Sequence, residues 1–510
     1  MQQLENKQVL VIGLCARGRA ACELLRSSGA NVTAVDQADT EDLRLESDRL
    51  GSLGIKVELG VTMPPKQDFS LAVVSPAVPC NTAILREMVR RQIPVIGEFE
   101  LGYQQSHCLN VAIAGTNGKG TTAELVESML VQNHRKTALC GHGGRPVCSV
   151  VDETKQLDFM VLQVNSFQLE TTRFFRPAVA VLLNVAPDHM DRYASHADYV
   201  RANARLFQNQ QAFDWAIVQS EALAQMRSLD IPINAKVITF SASSRRADIF
   251  LDRGLLISRL PDWAGPLLNM DHCQLRGAHN AENLMAALAV GHVLRLPLET
   301  VASAMKSQTA GAHRFELVAE VEGVLFLNDS KATNVDALHK ALSSVSPGIG
   351  GVPNIWLIAG GKDKGLEYHY VGPLLSERVK GAFLIGEARE KIRGAWSLFT
   401  PCATSGSLLE AVKAAARSAV PGDVVLLSPA CSSFDQFRNF QHRGEVFRQA
   451  VEELAAAERG SHAQGIAALG SNQVSLNNTR NLNFILPRGF LRKNPGATNP
   501  NKLPPQMKGR

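Results

Sequence analysis

The stretch NVAIAGTNGKGTTAELVESMLV at 110–131 limits the fold more than any other part of the chain. A short apolar run stops at Gly115, a glycine-rich turn with one lysine follows, and helix-forming residues begin at once. Strand, glycine turn and helix in that order open a βαβ unit in a parallel sheet. The glycines let backbone N–H groups turn inward, and the helix N-terminus adds its positive dipole end. Lys119 supplies a cation for the β- and γ-phosphates. Gly115, Thr116, Asn117, Gly118, Lys119, Gly120 and Thr121 are therefore expected to cradle a nucleotide phosphate chain.

A second unit of this kind lies upstream. QVLVIG at 8–13 ends in glycine, AACELLRSSGA has helical spacing with a glycine stop, and NVTAVD closes on Asp36. Strand-like runs recur at LAVVSPA and IPVIGE, after the loop at FMVLQV and AVAVLLNV, and later at VLFLNDS, NIWLIAGG, GAFLIG and DVVLLSPA. With 510 residues, too many for one core, this pattern predicts three α/β domains. They are a Rossmann-like domain at 1–105, a central parallel-sheet domain of P-loop ATPase type at 106–310, and a Rossmann-like domain at 311–459.

Charge and cysteine usage remove other classes. The formal charge of +5 has a local origin, because residues 461–510 hold seven Lys/Arg and no acidic residue. The remaining 46 basic residues face 48 acidic ones, so the body is not a nucleic-acid surface. The segment 460–510 reads as a disordered basic tail. No apolar run approaches the length of a membrane span, and the N-terminus does not read as a signal peptide, so a cytoplasmic protein is expected. The nine cysteines form no C-x-x-C pair, which predicts free thiols.

The loop AGTNGKGTT resembles that of the Mur ligases and the related folylpolyglutamate synthetases. NSFQLE at 165–170, NVAPDHMDRY at 184–193, GAHNAEN at 277–283, HRFE at 313–316, NDSKATN at 328–334, AGGKDKG at 359–365 and SPACSSFDQF at 428–437 are similar to the D-glutamate-adding branch of the Mur ligase family. The likeness spans about residues 7–457. It implies a monomeric ATP- and Mg2+-dependent ligase that activates UDP-N-acetylmuramoyl-L-alanine as an acyl phosphate and joins it to D-glutamate.

By the same resemblance, Lys119, His189 and Lys331 take catalytic roles. Asn280 and Asn283 face the nucleotide, and Arg314 and Asp329 bind its phosphate and ribose. Thr333, Lys364, Ser433 and Phe440, beside Lys331, suit a dicarboxylate, which needs cations and polar donors. Leu14, Cys15, Ala16 and Arg17 form a turn that, with Asp36, Ser75, Asn81 and His142, meets the uridine substrate; Pro76 and Thr82 lie on the same later loop. Cys15 stands where a dinucleotide fingerprint wants glycine, which argues against NAD.

The departures fall on the expected metal site. Gly120 stands where the family has Ser or Thr, Gln163 where it has glutamate, Asn203 where it has a carbamylated lysine, and His142 where it has asparagine. Of the expected set Gln163, His189 and Asn203, the histidine alone keeps the family's residue type. Magnesium prefers anionic oxygen, so metal affinity is expected to fall. Two other readings stay open: a non-catalytic relative that binds nucleotide or UDP-sugar as a regulator, and an enzyme resembling folylpolyglutamate synthetase.

Overall fold

In the computed structural model the described residues are 4–79 and 81–468, with side chains described as far as Ala457, and they form three sheets in succession. The first holds β1 (Gln8–Ile12), β2 (Asn31–Asp36), β3 (Lys56–Leu59), β4 (Leu71–Val74) and β5 (Val95–Gly97). All its pairings are parallel, in the order β3-β2-β1-β4-β5. The order reverses between β1 and β4, so the turn after β1 and the loop after β4 open into one crevice.

The second sheet contains β6 (Leu109–Ala114), β7 (Thr137–Gly141), β8 (Phe159–Gln163), β9 (Val179–Leu182), β10 (Trp215–Gln219), β11 (Lys236–Ser241), β12 (Ile249–Asp252), β13 (Leu255–Ser258) and β14 (Gly265–Asn269). Its order is β14-β13-β12-β11-β10-β9-β6-β8-β7. From β6 the chain crosses through the helix Lys119–Gln132 to the β7 edge and then returns past β6 to β9. The glycine loop thus sits at the point where strand order reverses, where open α/β sheets bind ligands.

The third sheet has β15 (Glu316–Val321), β16 (Val324–Asn328), β17 (Ile355–Gly360), β18 (Val379–Ile385), β19 (Cys402–Thr404) and β20 (Val424–Leu427), in the order β15-β16-β20-β17-β18-β19. Because β16, β20 and β17 are neighbours, the segments NDSKATN, SPACSSFDQF and AGGKDKG that follow them emerge side by side.

The α/β architecture agrees with the pattern read from the sequence, with one correction. A parallel sheet was expected across 106–310, yet β12, β13 and β14 pair antiparallel at its edge; in the third sheet β15 and β16 also pair antiparallel. The β12–β13 and β15–β16 hairpins each turn on a residue–glycine pair at positive φ, Arg253 (47°) with Gly254 (82°) and Glu322 (48°) with Gly323 (75°). That conformation matches the right-handed twist of paired strands, which a two-residue hairpin requires.

Burial explains why the central strands read as continuous apolar runs. Val111, Ile113 and Val161 pack against the helices Lys119–Gln132 and Ala278–Val293, while Ala112, Met160 and Leu162 pack on the opposite face with Phe99 and Phe175. The eight described cysteines are free thiols. The helix Phe440–Ala468 runs past the boundary expected at 460, and the tail from 469 onward lies outside the described residues.

One buried side chain ties the motif loops of the third sheet together. Arg443, with no exposed surface, donates from Nε to Ser330 Oγ at 3.1 Å and from Nη2 to Ser330 O at 2.8 Å. Its Nη1 donates to Cys431 O at 3.1 Å and Ser432 O at 3.3 Å. Removing it strands two carbonyls, Ser330 O and Cys431 O, each costing roughly 1–3 kcal/mol when buried without a partner, while Ser432 O keeps the Lys362 N–H at 2.9 Å. Arg443→Met is therefore expected to destabilise the third unit by about 3 kcal/mol in a calorimetric scan. An unchanged transition would contradict this role.

Candidate active site

The loop after β6 is held in place by its neighbours. Gly115 (φ 128°) and Gly118 (φ 88°) hold backbone that side chains rarely adopt, and a Cβ at 118 would lie 2.2 Å from Asn283 Oδ1. Asn184, just past β9, accepts from Asn117 N at 2.9 Å and donates to Asn117 O at 3.0 Å. Thr116 N donates to Asn184 O at 2.7 Å, and Thr116 Oγ1 donates to Ala186 O at 3.0 Å. Thr122 donates to Asn283, Asn283 to Asn280 at 3.2 Å, and Asn280 to Arg276 O at 2.8 Å. Asn283 therefore touches the loop, whereas Asn280 stands one layer behind it. Lys119 curls back, donating to Gly115 O at 2.7 Å and Thr116 O at 2.8 Å.

The third sheet meets this loop directly. Asn117 Nδ2 donates to Asp336 Oδ2 at 2.7 Å, and Asn334 Nδ2 donates to Asn117 Oδ1 at 3.2 Å and Asp188 Oδ2 at 3.1 Å. Lys364 Nζ donates to Asp188 Oδ1 at 2.8 Å, with side chains 8% and 7% exposed. Burial would raise the Asp188 carboxyl, but the Lys364 ammonium holds it well below the usual carboxylate range. His189, at φ 55°, donates its own N–H to Asp188 Oδ1 at 2.8 Å. Its ring sits edge-on to Phe167, as does that of His142. Burial pushes His189 down to about 4 and His142 well below its ordinary value, so both rings are neutral near pH 7.

The HRFE turn aims Arg314 at the loop. His313 (φ 62°) and Phe315 (φ 50°) are both left-handed, and Asn328 Nδ2 lies 3.0 Å from His313 Nδ1. Arg314 donates to Thr121 Oγ1 and, at 3.3 Å, to Glu124 Oε1. Asp329 accepts from Phe315 N at 3.1 Å and from Ser428 Oγ at 3.2 Å, and burial raises its carboxyl to about 7. Lys331 Nζ lies 3.8 Å over the Phe440 ring; Ser433 is buried and Thr333 half-buried.

At the first sheet, Asp36 Oδ2 accepts from Leu14 N at 2.7 Å, and Cys15 Sγ lies 2.9 Å from Ser75 Oγ. Ala16 and Arg17 begin the helix Ala16–Ser27, and Arg17 reaches across to Gly141 O at 3.1 Å, next to His142. Ser75 and Pro76 line a cavity of about 350 Å³ shared with Phe167, Glu170 and Arg192, while Asn81 lies exposed before the helix Ala83–Arg90. Sequence reasoning missed Asn184, Asp188, Asn334, Asp336 and Tyr199, whose hydroxyl lies 3.1 Å from Thr116 Oγ1 in the loop. Three of them, Asn184, Asp188 and Asn334, lie inside the motifs quoted for the resemblance, and their position after strand ends was the available signal.

The expected metal set does not fit a protein-held ion. Asn203 is fully buried, its Nδ2 donating to Tyr199 O at 2.9 Å within its own helix and its Oδ1 without a partner among the described residues. Gln163 contributes a neutral amide, and Asp188 is taken by Lys364. Among the described residues no group of three His, Cys, Asp or Glu could hold a metal. What converges on the loop is positive charge. Burial pushes Lys119 down to about 8, and burial together with Arg314, Lys119 and Lys364 pushes Lys331 down to about 7.

An anionic phosphate chain would recharge those lysines. For a base with a depressed value, the free site sheds its proton above the depressed value and regains it on binding. Nucleotide binding at pH 8 should therefore take up about one proton, measured as a dependence of calorimetric enthalpy on buffer ionisation. Lys331→Met should remove most of that uptake. A buffer-independent enthalpy for the parent chain would contradict the assignment.

Comparison with known proteins agrees with this layout. Residues 113–291 match the Mur ligase middle domain and residues 313–431 the Mur ligase glutamate ligase domain. The UDP-N-acetylmuramoylalanine–D-glutamate ligase of Acidobacterium capsulatum is 40% identical over 467 residues, 90% of this chain and 98% of that protein. The protein of the same name from Koribacter versatilis is 38% identical over 458 residues, 89% and 99% of the two chains. Among solved structures, UDP-N-acetylmuramate-alanine ligase MurC from Thermotoga maritima superposes with a TM-score of 0.56 at 17% identity, covering 88% of this chain and all of that one. MurF from the same organism, in complex with ADP, gives 0.56 at 16% identity, covering 89% and 99%. At such identities the structures speak for the fold alone. The shared sequence over nearly the full length of the curated relatives makes this chain a member of the Mur ligase family.

Proposed function

We infer that the chain is an ATP-dependent ligase that adds D-glutamate to UDP-N-acetylmuramoyl-L-alanine, a step of peptidoglycan precursor synthesis. The observation that carries this reading is the junction itself, where a phosphate loop on one sheet meets Arg314, Lys331 and Lys364 from another. In the reaction a substrate carboxylate oxygen bonds to the γ-phosphorus of ATP as the bond to the β-bridging oxygen breaks, releasing ADP. The amine nitrogen then bonds to the acyl carbon, the carbon–oxygen bond to phosphate breaks, and the amine proton is lost to solvent.

Little covalent work falls to the protein, which must align three anions and neutralise charge that develops on transferring oxygens. Residue types suit that division. The loop with Lys119 and Arg314 takes the triphosphate. Lys331, Lys364, Thr333 and Ser433 take the amino-acid dicarboxylate, and Phe440 holds Lys331 by its ring face. The turn after β1, with Asp36 and Ser75, takes the uridine nucleotide. This assigns uridine substrate, ATP and amino acid to residues 1–105, 106–310 and 311–459 respectively. The reading puts the enzyme in the cytoplasm, where ATP is supplied, and as a monomer, since one chain contributes every group named. It routes no step through a protein-held magnesium ion.

The test is phosphate release by the purified chain. Release should require ATP, UDP-N-acetylmuramoyl-L-alanine and D-glutamate together, with L-glutamate inactive. Lys119→Ala should lower the rate by at least about a hundredfold. ADP binding without turnover at any magnesium concentration would favour the non-catalytic relative, and turnover with L-glutamate on a folate acceptor would favour the synthetase alternative.

A further inference from the structure

Gly120 follows the loop lysine, at the position where a phosphate loop ordinarily carries Ser or Thr with its hydroxyl on magnesium. Its backbone is not left-handed, so conformational freedom does not explain the glycine. Space does. A Cβ there would lie 2.2 Å from Arg314 Nη2, 3.1 Å from Cζ and 3.2 Å from Nη1. The guanidinium fills the volume that a loop side chain would occupy, and it donates to the next residue, Thr121, and to Glu124.

Arg314 is delivered there by a built support. The His313 ring packs so closely on Gly444 that a Cβ on that glycine would lie 2.3 Å from it. His313 N donates to Glu316 Oε2 at 2.9 Å, and Glu316 pairs with Arg448 at 2.9 Å. The guanidinium itself is the far end of a flexible side chain, so a residue at 120 would displace it without unfolding the helix.

The remaining departures point the same way. Carboxylates that serve a metal repel a phosphate chain when the metal is absent, and Gln163 and Asn203 carry no charge. Guanidinium presents a rigid fork of donors that matches phosphate oxygens in pairs and keeps its charge at any working pH.

We propose that Arg314 occupies the seat of the missing loop hydroxyl and its cation. The nucleotide phosphates are then neutralised by the protein cations Lys119 and Arg314, and the grip on nucleotide does not require magnesium. This rests on the phosphate assignment made for the ligase, and it specifies what holds the phosphates.

The test is calorimetric titration of the full chain with ADP, in excess EDTA and in excess magnesium. The parent chain should bind in EDTA within about threefold of its affinity in magnesium. Gly120→Ser should weaken binding in EDTA about tenfold, as should Arg314→Met, and adding Gly120→Ser to Arg314→Met should cost nothing more. Gly120→Ala, which brings the Cβ without a hydroxyl, should behave like Gly120→Ser in EDTA and stands in for it if the serine variant fails to fold. Additive losses, or parent binding more than about a hundredfold weaker in EDTA, would overturn the proposal while leaving the ligase reading intact. Absence of ADP binding in either buffer would overturn both.

Discussion

Lys364, reaching from the loop after β17, and Asp188, in the loop after β9, meet at 2.8 Å with almost no solvent on either side. A buried pair of this kind adds little net stability, because desolvating two ions offsets most of their attraction, yet leaving either one alone is costly. Its effect is therefore on geometry. It permits one docking of the third sheet on the second, and Asn334 and Asp336 then reach Asn117 in the glycine loop.

From that docking follow the other features of the cleft. Asp188 is neutralised by Lys364 and also holds the backbone of His189, so the strained turn at His189 and the seating of the third sheet are parts of one arrangement. Arg314, Lys119 and Lys331 are brought near one another with only Glu124 paired to Arg314, and burial together with that crowding depresses the values of both lysines. Such a site is strained toward anions: a phosphate chain relieves repulsion that the fold itself maintains. The neutral amides of Gln163 and Asn203 remove the competing attraction for a metal, which leaves the bound phosphates to the protein's own cations.

Much of this was legible in the sequence. The strand, glycine turn and helix at 110–131 mark the central crossover because apolar run, left-handed turn and helix start are all local signals. The motifs after VLFLN, NIWLIAG and VVLL could be placed at strand ends for the same reason. Their convergence could not, since it depends on β20 inserting between β16 and β17, a long-range pairing that leaves no local mark. The hairpins at Arg253–Gly254 and Glu322–Gly323 were hidden because a residue–glycine pair is also common in ordinary loops. Gly120 was visible as a departure, but its cause was not. The guanidinium it accommodates comes from a residue 194 positions later, and only the folded chain puts the two side by side.

The Asp188–Lys364 contact sets the arrangement of the second and third sheets, and the rest of the cleft depends on it. Small-angle X-ray scattering on the parent chain, Asp188→Asn, Lys364→Met and the double variant measures this most directly. Each single substitution should open the cleft and raise the radius of gyration, and the double variant should be no more open than either single one, because both remove the same contact. Single variants with the parent's scattering profile would contradict it.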